Sequence, residues 1–112
     1  AQDPKWFTTA PIEAIKKVLM KVDLTVDDID LWEINEAFAP VVMAVVDDYN
    51  LDYGKINING GAIALGHPIG ASGARILTTL IHSLNQKEKS LGLATICIGG
   101  GEASAVIVER IN

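Results

Sequence analysis

The sequence lacks the features that mark several large classes of protein. Its single cysteine, Cys97, cannot form a disulfide within the chain, which excludes a disulfide-stapled secreted module. No stretch stays apolar for the roughly 18 residues that a membrane helix needs, so we expect no membrane partner. The chain starts at Ala1 without a charged segment before an apolar run. We therefore expect no signal peptide, a cytoplasmic location, and a piece of a longer protein.

Positive charge and metal-binding side chains are also scarce. Nine Lys and Arg stand against fourteen Asp and Glu, which gives a net charge of −5. Nucleic-acid backbones are bound by clustered basic residues, and the basic residues here are scattered, so we predict no nucleic-acid partner. Two histidines and one cysteine are too few for a zinc site, so we predict no metal.

The chain does contain enough apolar sequence for one domain, residues 1–112, because 49% of its residues are hydrophobic. Apolar residues at helical spacing after Pro11 predict a first helix, and residues 37–49 and 67–87 predict two more. Strands are predicted at residues 31–35, 55–59, 91–98 and 104–110. This order predicts a layered α/β fold with a mixed, mostly parallel sheet whose last strand is antiparallel.

Polar side chains stand at or just after the ends of three of these strands. Asn35 ends the first strand, His67 follows the second through a glycine-rich loop, and Cys97 ends the third. Because sites form at the carboxyl ends of strands in α/β sheets, we expect the three side chains to meet at one edge. A neutral histidine at a helix N-terminus can accept a proton, and a cysteine beside glycine N–H groups can hold or release one near neutral pH. With an asparagine amide to position a water or an oxyanion, the trio favours acyl transfer.

Each of these residues also has an ordinary structural interpretation. Cys97 fits an inert buried residue, His67 a helix cap, and Asn35 a turn residue at a strand end. A phosphate-binding loop is disfavoured because His67 and Pro68 stand where a lysine and a serine or threonine are required. The glycines at 99–101 lack the spacing of a dinucleotide fingerprint.

Three segments around these residues resemble motifs of the thiolase family. Residues 35–38 read NEAF, residues 59–73 read NGGAIALGHPIGASG, and residues 97–101 read CIGGG. The likeness runs from Asp3 to Arg110 and keeps the order and spacing of the family. One departure is the pair Glu102 and Ala103, where many members have Gln and Gly, and this bears on the shape of the local turn.

The resemblance implies a role for each candidate residue in moving an acyl group between CoA thioesters. It implies that His67 activates a nucleophilic cysteine carried by the N-terminal half of the family's fold and faces the thioester oxygen of the second substrate. It implies that Cys97 moves the α-proton and that Asn35 holds a water in the enolate oxyanion hole. The N–H of Gly99 is implied in the other oxyanion hole, and Phe38 in lining the pantetheine tunnel. No cofactor is implied, because the CoA thioester is itself the substrate.

The resemblance also implies that the chain is part of a larger fold. Family members have two similar halves, each expected to hold a five-stranded sheet in the order 3-2-1-4-5, and this chain resembles the second half without its first strand. That strand would lie between the predicted strands at 31–35 and 91–98. Three possibilities stay open: the two strands pair directly, another copy donates a strand, or the chain is part of a longer one.

The partners implied are acyl-CoA substrates, the N-terminal half of the same enzyme, and further copies of the chain in a homo-oligomer. The third predicted helix carries a broad apolar face, and such faces mark interfaces. Its residues are Ala74, Leu77, Ile81 and Leu84, widened by Ile76 and Leu80. We therefore expect self-association through this helix, a sheet edge, or both.

The function implied is the Claisen condensation of two acetyl-CoA molecules to acetoacetyl-CoA and CoA, and the reverse thiolysis. The chain alone is expected to be inactive, because the nucleophile lies in the other half. Residues 66–73 resemble the acetoacetyl-CoA-forming branch more than the degradative branch. Two alternatives remain open: a 3-ketoacyl-CoA thiolase of fatty-acid degradation, and a non-catalytic assembly fragment. A ketoacyl-synthase relative is disfavoured, because that group lacks the second cysteine that Cys97 represents.

Overall fold

Helices lie on both faces of a short sheet in the computed structural model, which describes residues 1–111. The helices are α1 (Ala10–Val22), α2 (Ala39–Tyr49), the single-turn α3 (Ala62–Leu65) and α4 (Ser72–Gln86), and the strands are β1 (Leu31–Ile34), β2 (Leu91–Ile98) and β3 (Glu102–Glu109). Short 3₁₀ helices occupy Pro4–Thr9, Val26–Asp28 and Tyr53–Lys55. The predicted α/β class is confirmed. Among residues 1–111, no helix has the length and apolar character required to cross a membrane.

The first helix forms where the sequence predicts it and supplies one wall of the core. Pro11 lies in the first turn, where its missing N–H would have had no intrahelical partner, and Asp23 ends the helix with a left-handed φ of 55°. Ile15 and Leu19 are buried, whereas Val22 is exposed. The middle turns of α1 therefore pack on β2 and β3, and its last turn reaches solvent.

The strands of residues 1–111 form one sheet in the order β1-β2-β3, with β1 parallel and β3 antiparallel to β2. The antiparallel last strand is thus confirmed. Leu31 lies opposite Gly92 and Ile34 opposite Thr95, so the two parallel strands pair directly. Of the three possibilities left open for these strands, direct pairing is the one observed. Direct pairing avoids buried, unsatisfied N–H and C=O groups, each of which would cost about 1–3 kcal/mol.

The strand predicted at residues 55–59 does not form, and only Ile56 makes a β-bridge, to Trp32 of β1. The reason is Asn57, whose φ of 46° lies in the left-handed region and breaks an extended run. Its side chain takes over the pairing: Oδ1 accepts from the Ile34 N–H at 2.8 Å, and Nδ2 donates to the Ile34 carbonyl at 2.9 Å. A side-chain amide therefore stands where strand backbone was expected.

Helix α4 starts at Ser72 rather than at the predicted His67. The residues between them form a tight turn, in which the N–H groups of Ala71 and Ser72 both donate to the carbonyl of Pro68, at 2.7 and 2.8 Å. His67 consequently lies in the loop before the helix. The expectation that His67 itself opens the helix is therefore wrong.

The face of α4 that packs on the sheet also differs from the predicted stripe. Ile76, Leu80 and Leu84 are buried, whereas Ala74 and Ile81 are exposed and Leu77 is half-buried. Ile76 and Leu80, which were predicted only to widen the apolar face of the helix, thus lie at the centre of that face. Self-association through the exposed part of the helix stays a prediction.

The sheet separates two apolar layers, as a layered α/β fold requires. Trp32 and Ile34 face the larger core enclosed by α1 and α2, while Leu31 and Ala94 face the smaller core under α4. The alternation of side chains along β1 accounts for this division. It also directs Glu33, between Trp32 and Ile34, toward α4.

Glu33 is a buried carboxyl in the layer between β1 and α4. Its Oε2 accepts a hydrogen bond from Nη1 of Arg75 in α4 at 3.2 Å, and its side chain is 2% exposed. Burial raises the pKa of Glu33 to about 7, although the Arg75 guanidinium acts in the opposite direction and Glu36 adds to the rise. The pair ties the strand to the helix, at the cost of burying a group that resists ionisation.

We expect the stability of the chain to fall as the pH rises from about 4.5 to about 7 because of Glu33. In that range the folded chain retains a proton that the unfolded chain releases, so the free energy of unfolding decreases until both states are ionised. Urea unfolding across this range measures the slope. Glu33→Gln should flatten it, and Glu109→Gln, which removes an exposed carboxyl from β3, should leave it unchanged. An equal slope in Glu33→Gln and the unaltered chain would contradict this assignment.

Candidate active site

The first predicted site residue, Asn35, lies directly after β1 and is fully buried. Its N–H donates to the carbonyl of Thr95 at 3.0 Å, which extends the parallel pairing by one residue. Its side-chain Nδ2 lies 3.4 Å from Nε2 of His67. Among residues 1–111, Oδ1 has no hydrogen-bond partner. A buried amide with one oxygen unused is suited to holding a further polar group at the site.

The neighbouring Glu36 holds the glycine loop against the end of β1. Its Oε1 accepts from Nδ2 of Asn57 at 3.0 Å, and its Oε2 accepts from the N–H of Ile63 at 3.0 Å. The carboxyl occupies the space over Gly61, where a Cβ would lie 2.2 Å from its Cδ. Glycine is therefore required at this position for the loop to close on Glu36.

The short helix α3 ends at Gly66, and this residue sets the direction in which the chain reaches His67. The φ of 99° and ψ of 159° at Gly66 belong to a region that residues with a Cβ essentially avoid. The glycine-rich segment that ends at Gly66 and is held by Glu36 therefore fixes the backbone before the imidazole. His67 is positioned by the loop and not by a helix of its own.

The imidazole of His67 contacts two buried side chains. Its Nδ1 lies 2.5 Å from Oγ of Ser72, which is fully buried in the first turn of α4. The Ser72 hydroxyl lies 3.1 Å from the carbonyl of Pro68. On the other side of the ring, Nε2 meets Asn35. The ring is therefore held from both nitrogens.

Cys97 lies near the carboxyl end of β2, opposite Ala103 of β3, and is 8% exposed. Burial raises the pKa of the Cys97 thiol, and a hydrogen bond with its own backbone only partly offsets that rise. Of the two behaviours expected of this thiol near neutral pH, holding or releasing its proton, the raised pKa favours holding it. The resting thiol holds its proton, so it is better suited to donating one than to acting as a free thiolate.

A cavity of about 450 Å³ opens at this edge of the sheet. The predicted residues His67, Cys97, Gly99 and Phe38 all line it, together with Phe7, Ala37, Ile69, Ile96 and Ile98. Phe7 and Phe38 meet edge to face, with ring centroids 6.0 Å apart and planes at 75°. The cavity is thus mostly apolar, with the imidazole and the thiol as its reactive groups.

The expected meeting of polar residues at one edge of the sheet is what the structure shows. Asn35 contacts His67, and His67 shares the cavity with Cys97. Sequence reasoning missed four contributors: Glu36, Asn57, Ser72 and Phe7. The signal for Glu36 and Ser72 was their place inside the NEAF and GASG segments, whereas Asn57 and Phe7 stand in no motif that could have singled them out. Within residues 1–111, no three His, Cys, Asp or Glu side chains converge as a metal site would require.

The fold and the motifs around this cavity define a thiolase-type protein. The chain belongs to the thiolase family, whose C-terminal domain matches residues 1–110.

Relatives of this kind agree over nearly the whole chain. An acetyl-CoA acetyltransferase of Escherichia coli K12 is 53% identical over 109 residues, which are 97% of this chain and 28% of the relative. A steroid 3-ketoacyl-CoA thiolase of Mycobacterium tuberculosis is 51% identical over 111 residues, covering 99% of this chain and 27% of the relative. The chain therefore spans little more than a quarter of the length of the curated relatives it matches.

Solved structures agree on the fold. An acetyl-CoA acetyltransferase of Bacillus anthracis superposes with a TM-score of 0.95 at 46% identity, over 98% of this chain and 28% of that one. The Acat5 thiolase of Ascaris suum, solved in complex with coenzyme A, superposes with a TM-score of 0.92 at 49% identity, with the same two coverages. The predicted likeness to the C-terminal part of a thiolase is confirmed.

We expect Gly61→Ala to loosen the loop that positions His67. The new Cβ would lie 2.2–2.5 Å from the Glu36 carboxyl, which can move away only by giving up its hydrogen bonds to Asn57 and Ile63. The loss should be about 1–3 kcal/mol in urea unfolding, with faster hydrogen exchange at the Ile63 amide.

Gly73→Ala is the matched control for this substitution. An added Cβ at Gly73 meets nothing within 4 Å, and alanine favours the helix in which this residue lies. We expect Gly73→Ala to be neutral or slightly stabilising. Unchanged exchange at Ile63 in Gly61→Ala would show that Glu36 does not hold the loop.

Proposed function

We propose that this chain is the C-terminal catalytic segment of a thiolase that condenses two acetyl-CoA molecules to acetoacetyl-CoA and CoA, and runs the reverse thiolysis. The observation that carries the proposal is the cavity shared by His67 and Cys97, with Asn35 bonded to the imidazole. An acyl-CoA of short chain is the substrate class, and no cofactor is required. The chain takes part only together with an N-terminal part that supplies the nucleophilic cysteine.

His67 is the group that activates this nucleophile in the proposed reaction. Its Nε2 faces away from α4, while Nδ1 is engaged by Ser72. Nε2 therefore takes the proton of the attacking thiol and, once protonated, can donate to the thioester oxygen of the second substrate. A water held by the amide of Asn35 completes this oxyanion hole, and the unused Oδ1 supports such a role.

Cys97 is the acid and base for the α-carbon in the proposed reaction. In thiolysis, the nucleophile attacks the keto carbonyl, the bond between the α- and β-carbons breaks, and the Cys97 thiol protonates the departing acetyl-CoA enolate. The resulting thiolate recovers its proton from the incoming CoA thiol, whose sulfur then attacks the acyl-enzyme. Condensation runs these steps backwards. The raised pKa of the thiol supports the donor role.

Two further residues complete the proposed site. The N–H of Gly99, at the turn after β2, belongs to the oxyanion hole of the acyl-enzyme step, and its place on the cavity wall supports this assignment. Phe38 lines the path of the pantetheine arm. Phe38 as a whole is 58% exposed and its ring packs on Phe7, which suits a surface that a thioester substrate would cover.

Two aspects of the proposal, the substrate preference and the cellular location, go beyond what membership of the family establishes. Relatives include both acetyl-CoA acetyltransferases and 3-ketoacyl-CoA thiolases, so the preference for acetyl-CoA rests on residues 66–73. A longer-chain 3-ketoacyl-CoA thiolase is the alternative. We also propose a cytoplasmic location, although one similar acetyl-CoA acetyltransferase, from rat, is named as mitochondrial.

We further propose that the N-terminal half of the same enzyme covers the exposed apolar rim of the cavity. Phe38 and Ile69 line the cavity and are 58% and 85% exposed, and Ile63 and Leu65 of α3, which precedes His67, are 68% and 61% exposed. Exposed apolar groups gathered around a site mark an interface. A homo-oligomer formed through the outer part of α4 is compatible with this arrangement.

In an enzyme that contains this segment and the nucleophile, we expect Cys97→Ala to lower turnover by about 10²- to 10⁴-fold, the usual contribution of a general acid or base. Acylation of the nucleophile by acetyl-CoA should persist, because that step uses His67. Steady-state thiolysis and trapping of the acyl-enzyme measure the two effects. His82→Ala, which alters an exposed residue of α4, is the control. Condensation at the original rate in Cys97→Ala would remove this residue from the mechanism.

The 112-residue chain by itself should not thiolyse acetoacetyl-CoA in the presence of CoA, because it holds no nucleophile in the proposed role. The loss of the acetoacetyl-CoA absorbance measures this. Addition of the N-terminal part as a separate chain is the positive arm. Turnover by the chain alone would contradict the proposed division of the site.

A further inference from the structure

The buried hydroxyl of Ser72 is engaged by the imidazole of His67 but is not a group that meets the substrate. Ser72 is fully buried in the first turn of α4, and it does not line the cavity. Its Oγ lies 2.5 Å from Nδ1 of His67 and 3.1 Å from the carbonyl of Pro68. The hydroxyl has one proton and can donate to only one of these two groups. Toward the other group it must act as a hydrogen-bond acceptor.

We propose that Ser72 is a positioning residue that keeps the proton of neutral His67 on Nδ1 and leaves Nε2 as the proton-accepting nitrogen of the ring. The Ser72 hydroxyl donates to the Pro68 carbonyl, which also accepts from the N–H groups of Ala71 and Ser72, so its single proton is not directed at the ring. The Ser72 oxygen then has only its acceptor side for the ring, and Nδ1 must carry the hydrogen. This inference rests on the proposed function for its consequence in catalysis, but not for the proton assignment itself.

The contact on the other side of the ring is consistent with a hydrogen on Nδ1. Asn35 presents Nδ2 to Nε2, and an amide nitrogen only donates, so Nε2 accepts. Asn35, His67, Ser72 and Pro68 thus form a chain of hydrogen bonds that all run in one direction. Every donor in the chain meets an acceptor, and no proton has to be shared.

Fixing this tautomer matters because Nδ1 is occupied by the buried Ser72 hydroxyl, which leaves Nε2 as the ring nitrogen that could meet a nucleophile. With the hydrogen on Nδ1, Nε2 carries the lone pair, which accepts the thiol proton once the 3.4 Å contact from Nδ2 of Asn35 gives way. After that transfer, Nδ1–H still donates to Ser72, and the new Nε2–H is available to the thioester oxygen. The first-turn serine of α4 thereby lets a single ring nitrogen serve in both steps without a ring flip.

Nitrogen NMR of the 112-residue chain tests the assignment directly. His82→Gln removes the second histidine, so that the ring signals of a ¹⁵N-histidine sample belong to His67 alone. We expect a pyrrole-like Nδ1 and a pyridine-like Nε2 in the neutral ring. Ser72→Ala should abolish this pattern and give a mixture of both tautomers or mainly Nε2–H. A pyridine-like Nδ1 in the chain with Ser72 intact would overturn the proposal, and this arm does not depend on how Ser72→Ala folds.

Ser83→Ala is the matched control, because Ser83 is a second buried hydroxyl of α4, bonded to Asn59 and to the Thr79 carbonyl and not to a histidine. It should leave the His67 signals unchanged. Ser72→Thr, which keeps the hydroxyl, should restore the Nδ1–H pattern. Loss of the pattern in Ser83→Ala, or its survival in Ser72→Ala, would mean that Ser72 does not fix the tautomer.

Activity of the enzyme that contains this segment separates the proton assignment from the proposed function. Ser72→Ala should lower kcat/KM for thiolysis by about 10- to 100-fold, with partial recovery in Ser72→Thr. A shifted tautomer with unchanged kcat/KM would refute the catalytic consequence and leave the assignment standing. If the unsubstituted enzyme showed no thiolysis, the proposed function would be refuted. The NMR result would still confirm or refute the proton assignment independently.

Discussion

The parallel pairing of β1 with β2 places the ends of both strands at the same edge of the sheet. The N–H of Asn35 bonded to the Thr95 carbonyl continues the pairing to the last residue before the loop, and Cys97 follows two residues further along β2. If β1 slipped by one residue against β2, its side chains, with that of Asn35, would move to the opposite face of the sheet. The positions of the His67 imidazole, the Asn35 amide and the Cys97 thiol relative to one another therefore depend first on the backbone hydrogen bonds of the sheet and only then on side-chain contacts.

The imidazole comes to this edge through a second constraint, the Glu36 carboxyl. It bonds the side chain of Asn57 and the backbone of Ile63 and fills the space over Gly61, so a single side chain fastens the loop at three places. Gly66 then turns the chain toward His67. Glu36 thus has a structural role within the NEAF motif, whose first residue, Asn35, lies at the site. The same short segment therefore serves both the site and the fold.

Much of the fold and the site could be predicted from the sequence, because the signals were local. The unbroken apolar run of β2, the helical spacing in α1 and the polar residues at strand ends all depend on near neighbours along the chain. The start of α4 was missed because the carbonyl of Pro68 closes a turn that resembles a helix start in sequence. The strand at 55–59 was missed because its apolar alternation is overruled by the left-handed backbone of Asn57. The pKa of the Cys97 thiol depends on burial by distant residues, which spacing alone does not report.

The amide of Asn57 has an effect on the sheet as a whole. By bonding both the N–H and the C=O of Ile34, while its own N–H donates to the Trp32 carbonyl, it occupies the outer edge of β1. An exposed strand edge is a template on which other chains can add strands. Here Asn57 already bonds the backbone groups of β1 that such a strand would need. At Trp32 and Ile34 the outer edge of β1 is therefore already paired and offers no free groups to another strand.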